Sequence, residues 1–217
     1  MQVIPSQIKS IDDLRGPAGR LEALLNTSRD DAPYAALVCH PHPSGGGTMH
    51  NKVVYHAMKA FSSFGLPVLR FNFRSVGLSE GEHDEGIGEQ EDVHAALDWM
   101  ERNLKLPMLF AGFSFGSNVG LRACCGDSRV KGLIGLGVPV RAEGRDYHYG
   151  FLPKCTVPKL TGKSLKVAAK RLKAAHCALG KVTKKEGATP KDGKVTKESQ
   201  KPGKSLPAGT KIKVTLT

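Results

Sequence analysis

The sequence predicts an α/β fold, a mostly parallel sheet with helices on both faces, followed by a small α+β unit of βαββ order. Apolar runs of strand length alternate with helical stripes between residues 34 and 140, the pattern of a parallel sheet covered on both sides. Charge then changes sharply. Residues 154–217 hold 17 Lys and Arg against 3 Asp and Glu, a balance of +14, whereas residues 1–153 hold 15 against 17, a balance of −2. All 13 aromatic residues and seven of the eight histidines also precede position 154. Two such different regimes predict two domains, 1–153 and 154–217.

In chain order, residues 21–26 and 34–39 read as strands. A Pro- and Gly-rich loop over 40–49 leads into a helix whose stripe is Val53, Val54, Ala57, Met58 and Phe61, ended by Gly65. Residues 66–73 are nearly continuous apolar, interrupted by Arg70 and Asn72, as a buried parallel strand would be. A polar loop over 74–88 precedes a second helix with Val93, Ala96, Leu97, Met100 and Leu104 at helical spacing. A strand over 107–113, a helix over 118–125 and a strand over 130–140 complete the first segment.

The whole chain of 217 residues carries 40% hydrophobic and 24% charged residues, which excludes general disorder and collagen-like repeats. Its longest nearly unbroken apolar stretch, 130–140, falls well short of the roughly 20 residues a spanning helix needs. The first residues lack a basic stretch followed by an apolar core, so no secretory signal is expected and a cytoplasmic location is. Cys39, Cys124 and Cys125 lie in apolar segments and read as small buried hydrophobes. Cys155 and Cys177 flank a predicted helix and could pair. No C-x-x-C spacing suggests zinc, and no metal or cofactor is expected.

The junction at 112–116 carries the chemistry. It reads Gly112, Phe113, Ser114, Phe115, Gly116, a G-x-S-x-G run between an apolar strand and a helix. A serine on so sharp a turn needs glycines two before and two after it, because neighbouring backbone crowds there. The following helix aims its free N–H groups at the hydroxyl, where they favour developing negative charge. Ser114 is therefore the candidate nucleophile. An oxyanion hole needs two N–H donors, and Phe115 supplies the first. Pro41 and Pro43 have none, so His42 is the donor available among residues 41–43; the side chains of His40 and His42 read as local packing and hydrogen bonding.

The runs CHPHP at 39–43, GGTMHNKVV at 46–54, LRFNFRSVG at 69–77, DEGIGE at 84–89, GFSFG at 112–116 and GVPVRAEGRDY at 137–147 together resemble the small bacterial α/β-hydrolases akin to dienelactone hydrolase. The resemblance covers about residues 18–153 and implies a serine hydrolase acting on an ester or related acyl bond. In that fold the acid and histidine of the triad follow the nucleophile on late loops. Here the resemblance stops near residue 157, implying an incomplete α/β-hydrolase sheet. Glu143, Asp146 and His148 follow the last expected strand; Asp146 and His148 are weak surrogates, because two residues of separation do not fan into a triad. Low turnover is expected, with an exposed apolar edge strand and a marginally stable first segment.

In the second segment, Thr161 is the expected N-cap of a helix with Leu165, Ala168, Ala169, Leu172, Ala175 and Leu179 on its apolar face, and Gly180 as its end. Short β-like runs follow at 181–183, 194–196 and 211–216, separated by turn signals at 190–193, 201–203 and 207–209. With VPKL at 157–160, GKV at 193–195, PG at 202–203 and Gly209, residues 155–217 resemble a PASTA domain. The resemblance implies a module that binds cell-wall fragments or serves as a spacer, and an extracellular origin for the segment, as a Cys155–Cys177 pair would. Its lysines suit a solvated face or an anionic polymer. The lack of aromatics for base stacking argues against nucleic acid. Two readings follow: a serine hydrolase with a basic appendage, or a non-catalytic binding or structural protein.

Overall fold

The computed structural model describes residues 7–27, 31–142, 145–184, 189 and 193–217. The chain divides into two compact units, Met1–His148 and Tyr149–Thr217, and each is treated by itself.

The first unit is built on a six-stranded sheet of β1 (Ile8–Ile11), β2 (Ala23–Asn26), β3 (Ala35–Cys39), β4 (Val68–Phe71), β5 (Met108–Phe113) and β6 (Val130–Leu136). Their spatial order is β1-β2-β4-β3-β5-β6. The last four run parallel, while β2 is antiparallel to β4 and to β1. β3 and β4 are buried along their whole length, which accounts for their apolar runs; the exception, Arg70 of β4, donates from Nη1 to the Met49 carbonyl at 3.0 Å and from Nη2 to Asn26 Oδ1 at 3.3 Å. β1 has no apolar run, and its residues are largely exposed; it is an edge strand that periodicity cannot reveal.

Three helices cover the sheet: α1 (Lys52–Ser63), α2 (Gly88–Leu104) and α3 (Phe115–Cys124). Val54 and Met58 of α1 pack on Ala36, Val38, Val68 and Ala111. α3 lies over Phe110, whose ring leaves no room for a side chain at Gly120. Phe110 and Ala111 are consecutive strand residues and face opposite ways, so α1 and α3 lie on opposite faces of the sheet. Two expected boundaries move. α3 begins at Phe115 rather than at residue 118, since the turn at Ser114 delivers the chain directly into helix. β6 ends at Leu136 rather than at residue 140, where Gly137 takes a φ of 53° and turns the chain. Cys39 and Cys124 are buried as expected, but Cys125 is half-buried at the end of α3.

The second unit comprises β7 (Lys154–Thr156), α4 (Leu165–Ala174), β8 (Ala178–Lys184), β9 (Val195–Glu198), β10 (Ser205–Pro207) and β11 (Lys211–Leu216). β7 pairs with β10, and β11 lies between β8 and β9, parallel to the first and antiparallel to the second. Ala168 and Leu172 of α4 join Val157, Leu160, Val195, Ile212, Val214 and Leu216 in one core. Ser164, not Thr161, caps α4, its hydroxyl accepting from the Val167 N–H at 3.5 Å. The helix also ends earlier than Gly180. His176 adopts a φ of 55° and the Cys177 N–H turns back to the Leu172 carbonyl at 2.8 Å, so Leu179 and Gly180 belong to β8. Cys155 and Cys177 are joined by a disulfide. The turn expected at 190–193 lies outside the described residues except for Gly193.

Candidate active site

Ser114 stands where β5 gives way to α3. Its φ of 50° and ψ of −116° are strained for a residue with a side chain. The strand side of the turn is fixed by the Ser114 N–H donating to the Leu136 carbonyl at 2.9 Å. On the helix side, the Ser114 carbonyl accepts from the Ser117 N–H at 2.9 Å and from the Ser117 hydroxyl at 2.6 Å. The Ser114 side chain makes no capping bond to the helix, so that its hydroxyl is not used to close the N-terminus of α3.

The flanking glycines are explained by contact. A side chain at Gly112 would strike the carbonyl of Gly116 and come within 2.7 Å of the Ser117 nitrogen. One at Gly116 would strike the carbonyl of His40 and come within 2.8 Å of the Cys39 carbonyl oxygen. The loop after β3 is thus pressed directly against the first turn of α3.

That loop is held by buried polar contacts. His40 is fully buried; its Nε2 accepts the Phe73 N–H at 3.0 Å and its Nδ1 lies 2.7 Å from the Pro41 carbonyl. This assigns a neutral ring with the proton on Nδ1, and burial lowers its pKa to about 4. The His42 Nδ1 accepts the Ser44 N–H at 3.2 Å, and the His42 ring packs on Phe115 with centroids 4.6 Å apart. Among the described residues no acceptor takes the backbone N–H of His42, and Phe115, as first residue of α3, has no intrahelical acceptor. Both N–H groups are available to a ligand.

The loop after β4 is fixed to α2. Arg74 sends its backbone N–H at 3.0 Å, its Nε at 3.1 Å and its Nη2 at 2.8 Å to the buried Asp92 carboxylate. Glu89, also fully buried, accepts the Asp84 N–H at 2.9 Å and the Gly86 N–H at 2.8 Å. Sequence reasoning passed over this framework. Its one signal was the spacing of carboxylates in a loop and first helical turn, which reads equally well as a solvated surface.

Asp146 and His148 are exposed, and no hydrogen bond or ion pair joins them. Asp146 lies 3.5 Å from Arg141 Nε, and the His148 carbonyl accepts from Arg122 Nη2 at 2.9 Å. Glu143 lies outside the described residues. Among the described residues, no three His, Cys, Asp or Glu side chains are gathered to hold a metal, and no helix is long and apolar enough to cross a membrane.

Comparison with known proteins agrees with this architecture. The chain is 38% identical to the α/β serine hydrolase without a lid, XC6422, from Xanthomonas campestris, covering 69% of this chain and 68% of that one with a TM-score of 0.59. It is 39% identical to an α/β serine hydrolase homologue from Coxiella burnetii, over 66% of this chain and 68% of that one, with a TM-score of 0.57. The chain belongs to the α/β serine hydrolase family. Residues 156–217 match the PASTA domain family. A curated relative, the uncharacterized protein RP471 of Rickettsia prowazekii (strain Madrid E), is 39% identical over 145 residues, which is 66% of this chain; the chain spans 60% of that protein's length.

Proposed function

We propose that the first unit is a serine hydrolase acting on an ester or related acyl bond. Ser114 is its nucleophile, and the backbone N–H groups of His42 and Phe115 form its oxyanion hole. The observation that carries this reading is the strained backbone of Ser114 at the head of α3, since such strain persists where the surrounding structure imposes it for a purpose. Turnover is low. Among the described residues no hydrogen bond joins Asp146 or His148 to Ser114, and oxyanion hole and binding alone leave about 10³–10⁴-fold catalysis over water. A fluorophosphonate that forms a covalent adduct with serine tests the assignment. Wild type is labelled slowly, as a serine without a base reacts, on the peptide holding Ser114, and Ser114→Ala is not. Labelling elsewhere, or ordinary esterase rates lost on that substitution, would show respectively a wrong nucleophile or an overlooked triad.

A second reading applies to the PASTA unit, where Lys166, Lys170, Arg171 and Lys173 project exposed from α4. We propose that it binds an anionic polymer of the cell-wall type and works in an oxidising compartment, as its disulfide requires. Binding to teichoic acid that falls steeply between 50 and 200 mM salt is the expected result; salt-independent binding or none rejects it.

A further inference from the structure

His83 is a histidine that the proposed chemistry does not employ. It lies on the loop between β4 and α2, with both ring nitrogens buried and, among the described residues, without hydrogen-bond partners. Its Nδ1 is 2.7 Å from the buried Oε1 of Glu89, a close polar contact rather than an aligned hydrogen bond. The same carboxylate holds the Asp84 and Gly86 N–H groups, so the position of His83 is tied to a fixed point in α2. The other faces of the imidazole meet two rings. Its centroid is 5.0 Å from that of His42 and 5.6 Å from that of Phe115, both tilted, while His42 and Phe115 are themselves in contact at 4.6 Å.

His42 and Phe115 are the two residues assigned as oxyanion donors, and they come from different elements. The backbone contact of His40 with Gly116 brings the two elements together, the rings of His42 and Phe115 pack on each other within that frame, and His83 touches both. We infer that His83, held by Glu89, is a positioning residue that sets the two oxyanion donors against each other through the three-ring cluster. This rests on the serine hydrolase reading of Ser114. Among the described residues no hydrogen bond joins the His83 ring to Ser114, and its ring contacts are to His42 and Phe115, so His83 acts through those two residues.

The test compares His83→Phe, which keeps a ring, with His83→Leu, which keeps bulk without one, in the full chain. The readout is the fluorophosphonate reaction at Ser114, separated into its maximal rate and its half-saturating concentration, alongside thermal melting. Loss of the ring packing that aligns the two donors is expected to slow the maximal rate about tenfold in His83→Leu. The half-saturating concentration should stay within twofold, and His83→Phe should remain within threefold of wild type. Should His83→Leu lose its cooperative melt, His83→Gln carries the same expectation. A ringless variant that melts cooperatively and reacts at the wild-type rate overturns the inference while leaving the nucleophile assignment intact. A Phe variant as slow as the Leu variant overturns the ring packing as its basis. Wild type that is not labelled at Ser114 overturns both.

Discussion

The carbonyl oxygen of His40 occupies the space that a side chain at Gly116 would need. The loop after β3 and the first turn of α3 are therefore locked by backbone contact, with no flexible side chain between them to absorb an added atom. Gly116→Ala must push one away from the other. The expected result is a loss of about 1–3 kcal/mol of stability in urea unfolding, with fluorophosphonate labelling of Ser114 falling at least tenfold. Unchanged stability and labelling would mean that the contact is loose.

Ser114 gives the opposite expectation. At φ 50° its side chain is strained, and such outliers cost about 1–3 kcal/mol. Glycine accepts positive φ but loses about 0.5–1 kcal/mol to chain entropy. Ser114→Gly should therefore raise the unfolding free energy by about 1 kcal/mol while abolishing labelling. A less stable variant would place the strain elsewhere.

His40 predicts the acid limb of stability. Burial lowers its folded pKa to about 4, below the ordinary imidazole value of 6.5. Between these values the unfolded chain binds the proton that the folded one refuses, so stability rises with pH across this window. The contribution is fully present above about pH 6.5 and is lost as pH falls towards 4, to a total of about 3 kcal/mol. Urea midpoints measured from pH 7 to pH 4 should fall along this course, and less steeply in His40→Gln. Identical slopes in the two proteins would assign the acid limb to carboxylates.

The parallel core was legible because β3 and β4 are buried on both faces, and burial of that kind leaves apolar runs, broken in β4 only by Arg70. The turn at Ser114 was legible because two backbone contacts permit only glycine on either side of it. Other features left weaker traces. β1 is held by hydrogen bonds to a neighbour and needs no apolar face, so its sequence is silent. Thr161 and Ser164 are equally good caps by residue type, and only the tertiary path of the chain selects Ser164. The cluster of His42, His83 and Phe115 joins three separate loops or elements, a relationship that local periodicity does not carry.

Cys155 and Cys177 close a loop of sequence separation 22 and contribute two buried residues to the core of the second unit. A crosslink of this span stabilises by about 3 kcal/mol, chiefly by restricting the unfolded chain. Reduction with dithiothreitol should lower the melting transition of this unit by at least 10 °C, since 1 kcal/mol shifts a domain of 60–100 residues by about 4–8 °C. The urea transition of the first unit should stay in place. A second unit equally stable when reduced would remove the argument for an oxidising compartment.

β6 ends the six-stranded sheet, and among the described residues it pairs only with β5. Its outer backbone groups form an open edge, and Ile134 on it is 41% exposed. Proteins ordinarily blunt such edges with charge, because an apolar edge templates pairing with other chains. Here Lys131 is the one charged residue of the strand. The protein is therefore expected to self-associate at concentrations of order 100 μM and to bind an apolar-surface dye. Ile134→Lys places a second charge on the edge at a position already half open to solvent, so it should reduce both effects while moving the melting temperature little. A wild-type chain that stays monomeric by sedimentation and dark with the dye would show that the edge is protected in solution.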